Sequence, residues 1–368
     1  MPPTGTHLSS KRYDHEIDDI FAIQDEISED IAAQLKLRLA LRKRSTTNLT
    51  AYQAYLEGRY HWNKFTPEGF AKALESFQRA VALDPDYAPA HTGVAMYYVG
   101  TAIDYVAAPL EVLPKAAAAA RRALELDETN ADAHAVLGDV AAMLDFDWVA
   151  AERHFARALE LNPGTPARVG FTLWFLQAQG RAEEARAQCD RVIEQDPLFL
   201  GGHSAKAIVL FLGRNYDAAV QHCLRALDLA PAFQRVLQHL AYIRAFQGRV
   251  GEALAVAERL SHLRGRSIVS LFALSTAHAM AGDRAAAHRA LQEMKILAGS
   301  AQAGSSMIAC VYALLEERDA AFDWMERAVA CRDPRILWIR SLPWWDALRS
   351  DPRYAELLRK MNWGSAAG

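Results

Sequence analysis

Metal ligation and thiol chemistry are the first things to ask of this sequence, which carries 12 histidines and 4 cysteines in 368 residues. Zinc sites need ligands at set spacings, such as two histidines four apart on one helix face or a CxxC pair. His15-Glu16 is not followed by a second histidine four residues on, and no CxxC occurs. His91, His134 and His203 stand at the same place in recurring segments, so a single helix-packing position accounts for all three. Cys189 and Cys223 lie 34 residues apart, at one inward position where small apolar residues belong. Cys310 falls on a predicted inner face, with no neighbouring base or cation in sequence to lower its pKa. The acid pairs Glu183-Glu184 and Glu316-Glu317 sit in or beside predicted helix turns and read as solvated faces. No GxxxxGK[ST] loop, strand-borne GxGxxG or GxSxG elbow is present. These residues give no catalytic constellation, so no enzyme activity, cofactor or metal is expected.

The elements that position these side chains are set by a period. Asn162-Pro163, Asp196-Pro197 and Ala230-Pro231 place three prolines 34 residues apart, each after an amphipathic run. Proline lacks an amide donor and clashes with the preceding turn, so each one closes a helix. At fixed offsets before them stand Ala158, Val192 and Ala226, then Ala151, Ala185 and Ala219, which let two helices approach closely. Gly180, Gly213, Gly248 and Gly282 fall at the turns between the paired helices, where a left-handed backbone is easy for glycine. The register extends to eight helix pairs, 51–85, 86–129, 130–163, 164–197, 198–231, 232–265, 266–299 and 300–334. In the second pair the segment Thr101 to Pro114 adds residues between the helices and predicts a longer helix or a protruding loop.

Over about 51–334 the chain resembles the tetratricopeptide-repeat (TPR) family, through Tyr55, Gly58, Ala73, Phe77, Ala80 and Pro85 and the units that follow. The resemblance implies an all-α solenoid, a right-handed superhelix of about eight helix pairs. Outside the repeats, Thr4-Gly5-Thr6-His7-Leu8, Arg12-Tyr13-Asp14 and Asp19-Ile20-Phe21-Ala22-Ile23-Gln24-Asp25-Glu26-Ile27 are similar to the junction between a TolB-like domain and TPRs in bacterial signalling proteins. There the repeats follow a nucleotide cyclase, a Ser/Thr kinase or a winged-helix regulator. Leu342 to Tyr354 is similar to the C-terminal end of such proteins. The domain plan is then a remnant strand or disordered leader over 1–15, an amphipathic helix over 16–44, the solenoid over 51–340, and a capping helix and tail over 341–368.

Both ends of a solenoid expose an apolar face unless something covers it. Ile20, Ile23, Ile27, Ile31 and Leu35 recur at helical spacing and either pack on the first repeat or form the seam of a homodimer. Tyr354, Leu357, Leu358 and Met361 form a matching stripe at the other end. In a TPR superhelix the first helix of each pair lines the groove. The register therefore names Tyr55, Arg59, Trp62 and Asn63 in the first pair, Met96 and Asp139 in the next two, Trp174 and Gln177 in the fourth, Phe211 in the fifth, and Arg235, Gln238 and Tyr242 in the sixth. Aromatic and arginine side chains suit a peptide held by apolar anchors. The Lys and Asn set with which chaperone-binding TPRs clamp a terminal carboxylate is missing from these positions, so an internal segment of an unidentified protein is the expected ligand.

Composition is consistent with this reading. Hydrophobic residues are 51%, charged residues 23%, and the net charge of −3 is dispersed, which supplies a core but no one-signed basic face for nucleic acid. The longest apolar stretch, Ile268 to Ala281, is interrupted by Ser270, Ser275, Thr276 and His278 and is too short to span a bilayer. Reduced thiols and the lack of a secretory pattern over Met1 to Asp19 point to a cytoplasmic protein without membrane insertion.

Overall fold

The computed structural model describes residues 46–363 except 65, 164–166 and 300–302. The chain divides after Thr47 into two compact units; the expected leader and amphipathic helix lie outside the described residues, and everything below concerns the second unit. Among the described residues there is no strand. Helices pair in sequence: α1 (Leu49–Trp62) with α2 (Pro67–Leu83), α3 (Ala88–Ile103) with α4 (Pro109–Leu126), and α5 (Ala131–Val140) with α6 (Trp148–Leu161). Next come α7 (Ala167–Gly170) with α8 (Ala182–Gln195), α9 (Leu200–Leu212) with α10 (Tyr216–Leu229), and α11 (Gln234–Phe246) with α12 (Val250–Arg264). The series ends with α13 (Ile268–Met280) and α14 (Arg284–Ala298), then α15 (Ser305–Leu314) and α16 (Arg318–Ala330). Helices α5 and α7 run on into π-helical turns, Ala141–Asp145 and Phe171–Leu176.

Sequence explains these boundaries. Helices α2, α6, α8 and α10 each stop two residues before Pro85, Pro163, Pro197 and Pro231. Side-chain oxygens of Asn48, Thr66, Asn130, Asp147, Asn215 and Asp283 accept hydrogen bonds from first-turn amides, and Ser267 with Ser270 forms a reciprocal capping box. Within pairs the contacts are built from small residues: Ala54, Ala73, Ala80, Ala151, Ala185, Ala219 and Ala226 are essentially without solvent exposure. The shared histidine position is visible as a shared bond. His91 Nε2 meets the Pro85 carbonyl at 2.8 Å and His203 Nε2 the Pro197 carbonyl at 2.8 Å, while His134 bonds the backbone at Glu128.

One expectation is met in the first of its two forms and one is corrected. The insertion in the second pair gives longer helices and does not protrude. It lengthens α3 and α4 to 16 and 18 residues, against 13 and 14 for α9 and α10, and leaves a short turn that folds inward. At the turn of the fifth pair Gly213 keeps a negative φ of −80°, and Arg214 takes the left-handed slot at φ 65°. Tyr105 and Phe146 fill the equivalent slots of the second and third pairs at φ 58° and 52°. A left-handed non-glycine residue costs about 1–2 kcal/mol, and each of these three touches the segment that follows α16.

That segment, 332–363, forms two 3₁₀ turns, Pro334–Trp338 and Pro343–Leu348, and then α17 (Pro352–Lys360). Helix α17 packs on α16, with Lys360 paired to Glu326 at 2.7 Å and Arg353 to Asp319 at 2.9 Å. The rest is no cap. It runs back across the inner wall as a strap. Trp344 lies among the rings of Phe211, Tyr242, Phe246 and Phe272, with centroids 4.8 to 5.5 Å away. Arg214 holds Asp346 with two hydrogen bonds of 2.7 and 2.8 Å, and Trp148 stacks on Trp363 at 4.8 Å while its Nε1 donates to the Met361 carbonyl.

Packing is tight on both sides of Phe77, whose ring sits between Gly58 and Gly93. A Cβ added to either glycine would lie 2.5 Å from the ring. Because the ring is clamped on both sides it cannot yield, so Gly93→Ala is expected to lose more by overpacking, about 1–3 kcal/mol, than the roughly 1 kcal/mol that alanine gains in helix propensity. A urea-denaturation midpoint below wild type, partly restored in Gly93→Ala/Phe77→Leu, checks this.

Candidate functional site

What the strap leaves uncovered is a cavity of about 210 Å³ lined by the first helices of successive pairs and by the strap. It runs diagonally, from Arg59, Trp62 and Asn63 at the end of α1 and Met96 to Ile103 on α3, past Asp132 and Asp139 on α5, to Gly201 and Ser204 on α9 and Arg235 and Gln238 on α11. Leu173 and Trp174 enter from the π-helical turn after α7, and Arg335 and Trp338 from the strap. First helices line the inner wall, second helices stand outside, and prolines repeat every 34 residues. The chain is a tetratricopeptide-repeat solenoid.

No family model matches the chain. It is 29% identical over 141 residues to a putative adenylate cyclase of Rhizobium meliloti (strain 1021), a match covering 36% of this chain and 24% of that protein. It is 22% identical over 174 residues to the transcriptional regulator HilA of Salmonella typhimurium, covering 47% of this chain and 31% of the regulator. The matches thus span less than a third of either relative. Among solved structures the yeast Tom70 crystal structure matches 94% of this chain and 78% of its own at 17% identity, with a TM-score of 0.49.

Eight of the twelve residues singled out from the TPR register line the cavity: Arg59, Trp62, Asn63, Met96, Asp139, Trp174, Arg235 and Gln238. Trp62 lies against Gly100, where any Cβ would fall 2.1 Å from the indole, so glycine is what admits the ring. Tyr55 stands behind the wall, its hydroxyl accepting from Arg59 Nη1 at 2.9 Å and its ring edge-on to Tyr87 at 5.5 Å. Gln177 is buried with its Oε1 unpartnered. Phe211 and Tyr242 are on the inner wall but lie beneath Trp344. Trp174 is stacked on Trp338, centroids 5.0 Å apart and planes 3° from parallel, and Trp338 Nε1 donates to the Leu173 carbonyl at 2.7 Å. Cys310, expected on an accessible inner face, is fully buried and its thiol is pushed well up by that burial. Burial likewise pushes the Cys189 thiol up to about 12.

Sequence reading missed Asp104, Tyr105, Arg335 and Trp338. The inward turn of the second pair brings Asp104 to Arg235, which donates to its Oδ2 at 2.7 Å, and Arg264 donates to the Asp104 carbonyl at 3.2 Å. The Tyr105 hydroxyl donates to Asp333 Oδ1 at 3.0 Å, and that buried carboxylate also accepts from the amides of Ser306 and Arg335. Desolvation, the largest influence on it, raises the Asp333 pKa despite these bonds. The only signal for this arrangement was the extra length between Thr101 and Pro114.

The charges on the wall are unevenly matched. Asp104 faces Arg235, and Asp132 stands 3.9 Å from Arg59. Asp139 has no such neighbour. Its Oδ1 is occluded beside the Gly170 backbone, where a Cβ would come within 2.8 Å, and has no hydrogen-bond partner among the described residues. The part of the side chain that keeps some exposure lines the cavity. Desolvation alone pushes this carboxyl up to about 8. Among the described residues no three His, Cys, Asp or Glu side chains converge as a metal site, and none of their helices is long and apolar enough to cross a membrane.

The Asp139 shift has a stability consequence with a definite sign. Between its ordinary 3.8 and about 8 the folded state keeps a proton that the unfolded state has lost, so stability falls as pH rises through that window. Asp139→Asn removes the dependence. Urea titrations are expected to show the variant gaining on wild type by roughly 2–4 kcal/mol from the acid to the alkaline end; parallel curves would contradict it.

Proposed function

We propose that the chain is a non-catalytic scaffold that takes a peptide segment of another protein into the uncovered stretch of its inner wall. The observation that carries this reading is the cavity, in which Arg59, Trp62 and Trp174, side-chain types that supply most interface energy, converge on one concave surface. The strap confines binding to the wall formed by the first helices of the first six pairs. Neither end of the described wall offers the Lys and Asn clamp for a terminal carboxylate, so the bound segment is internal to its protein.

The setting we infer is bacterial signalling or regulation, with the solenoid as the regulatory portion of a larger system. Its support is the likeness of residues 4–27 to the junction before the repeats in TolB-like signalling proteins, and the partial matches to a putative adenylate cyclase and a transcriptional regulator.

Selection from a display library of random linear peptides tests the binding reading. Enriched peptides are expected to lose at least roughly tenfold in affinity to Arg59→Ala/Trp62→Ala and to be indifferent to Val149→Ala on the exposed outer surface. Failure to enrich any sequence, or equal affinity in the double variant, would count against it.

A further inference from the structure

We infer that the cavity is a receptor for a protonated amine on a small apolar body, with Asp139 as its counter-ion. The inference deepens the peptide-groove reading by naming the chemistry of the anchor, and it uses that reading only for the location of the site.

Three observations converge. The first is size. A 210 Å³ cavity exceeds the roughly 150 Å³ space that holds a benzene in an engineered protein, and falls short of the roughly 300 Å³ at which drug-sized sites begin. It fits one aromatic ring or one long side chain. The second is the lining, in which Trp62, Trp174 and Trp338 present ring surface to the space, the surface on which an alkylammonium or its apolar stem rests favourably. The third is the charge balance. Asp104 and Asp132 each have an arginine within ion-pair distance, whereas Asp139 has none and no cation lowers its pKa.

A buried carboxyl left in that state carries a proton and wastes an acceptor. A ligand that brings one positive charge with hydrogens to donate gives the part of the carboxyl that faces the cavity a partner and favours its ionised form. An anionic ligand would oppose ionisation of Asp139 still further, and a purely apolar one would leave the carboxyl unpaired. The two π-helical turns bracket this point, one beginning two residues after Asp139 and the other one residue after Gly170, against which the carboxyl rests. Such widened turns recur where a helix presents a functional group.

The amine has two sources, a free small molecule or a lysine side chain of the bound segment, and the test separates them. Binding of benzylamine and of benzyl alcohol to the full chain is followed by calorimetry and by the fluorescence of the tryptophans around the cavity. Benzylamine is expected to bind saturably and at least roughly tenfold more tightly than the alcohol, the gain of a hydrogen bond to a charged group. Asp139→Asn, a neutral isostere of the resting acid, is expected to reduce benzylamine to the affinity of the alcohol while leaving the alcohol unchanged. Capped lysine amide binding in an Asp139-dependent way, and more tightly than capped norleucine amide, assigns the charge to a partner's lysine; benzylamine binding alone assigns it to a free amine. Equal affinity of wild type for benzylamine and benzyl alcohol overturns the inference without needing a variant. Retention of benzylamine affinity in Asp139→Asn overturns it too. Either result leaves the peptide selection, which reads Arg59 and Trp62, to stand or fall by itself.

Discussion

An array of stacked helix pairs buries the surfaces between neighbours but leaves its inner wall facing empty space, and the rest of this structure follows from the need to cover that wall. Each pair presents large apolar side chains inward, and Phe211, Tyr242, Phe246 and Phe272 make a continuous aromatic surface across three pairs. Solenoids meet the same requirement at their ends with capping elements. Here the chain meets it in the middle, by laying residues 332–363 against the wall with Trp344 at the centre of the aromatic surface. Three of the residues that accept a strained left-handed backbone, Tyr105, Phe146 and Arg214, hold the strap with a side chain or carbonyl: through Asp333, Asn362 and Asp346 respectively. Strain is concentrated where it is repaid by a contact.

Covering one part of the wall defines the other. Trp338 and Arg335 form one side of the cavity and the first helices the opposite side, so the strap is as much a part of the site as the repeats are. The inward turn of the second pair closes a third side through Asp104 and Tyr105, which reach residues 131 and 228 positions away in sequence. The result is a small concave space in which one carboxyl, Asp139, has no cation beside it, in place of the long open groove that the repeat pattern alone suggests.

The division between what could and could not be read from sequence has a physical basis. Prolines 163, 197 and 231, the alanines at helix contacts, and the recurring histidine report local or nearest-neighbour packing, which a period records faithfully. The strap obeys no period. Its two 3₁₀ turns are too short to show a face, and its partners are scattered from Tyr105 to Phe272, so Leu342 to Tyr354 showed a family likeness in sequence but not where they pack. Gly213 misled for a related reason: glycine permits the left-handed slot, but Arg214 occupies it because its guanidinium then reaches Ser341 and Asp346. Cys310 was legible as a residue of an inner helix face, but its complete burial was not, since the cover over that face was invisible. Asp139 was legible as an inner-wall residue. Its isolation was not, because an unpaired charge is defined by the neighbours it lacks.

The strap also orders events during synthesis. Contacts between adjacent helix pairs can form as soon as each pair is made, whereas Trp338 with Leu173, Arg332 with Leu144 and Asn362 with Phe146 join residues 165, 188 and 216 positions apart. Loop-closing contacts of that span form late. Until residues 332–363 have been made, the nascent spiral holds its aromatic lining open to water, and a chain cut short of them would be a sticky, unsealed coil.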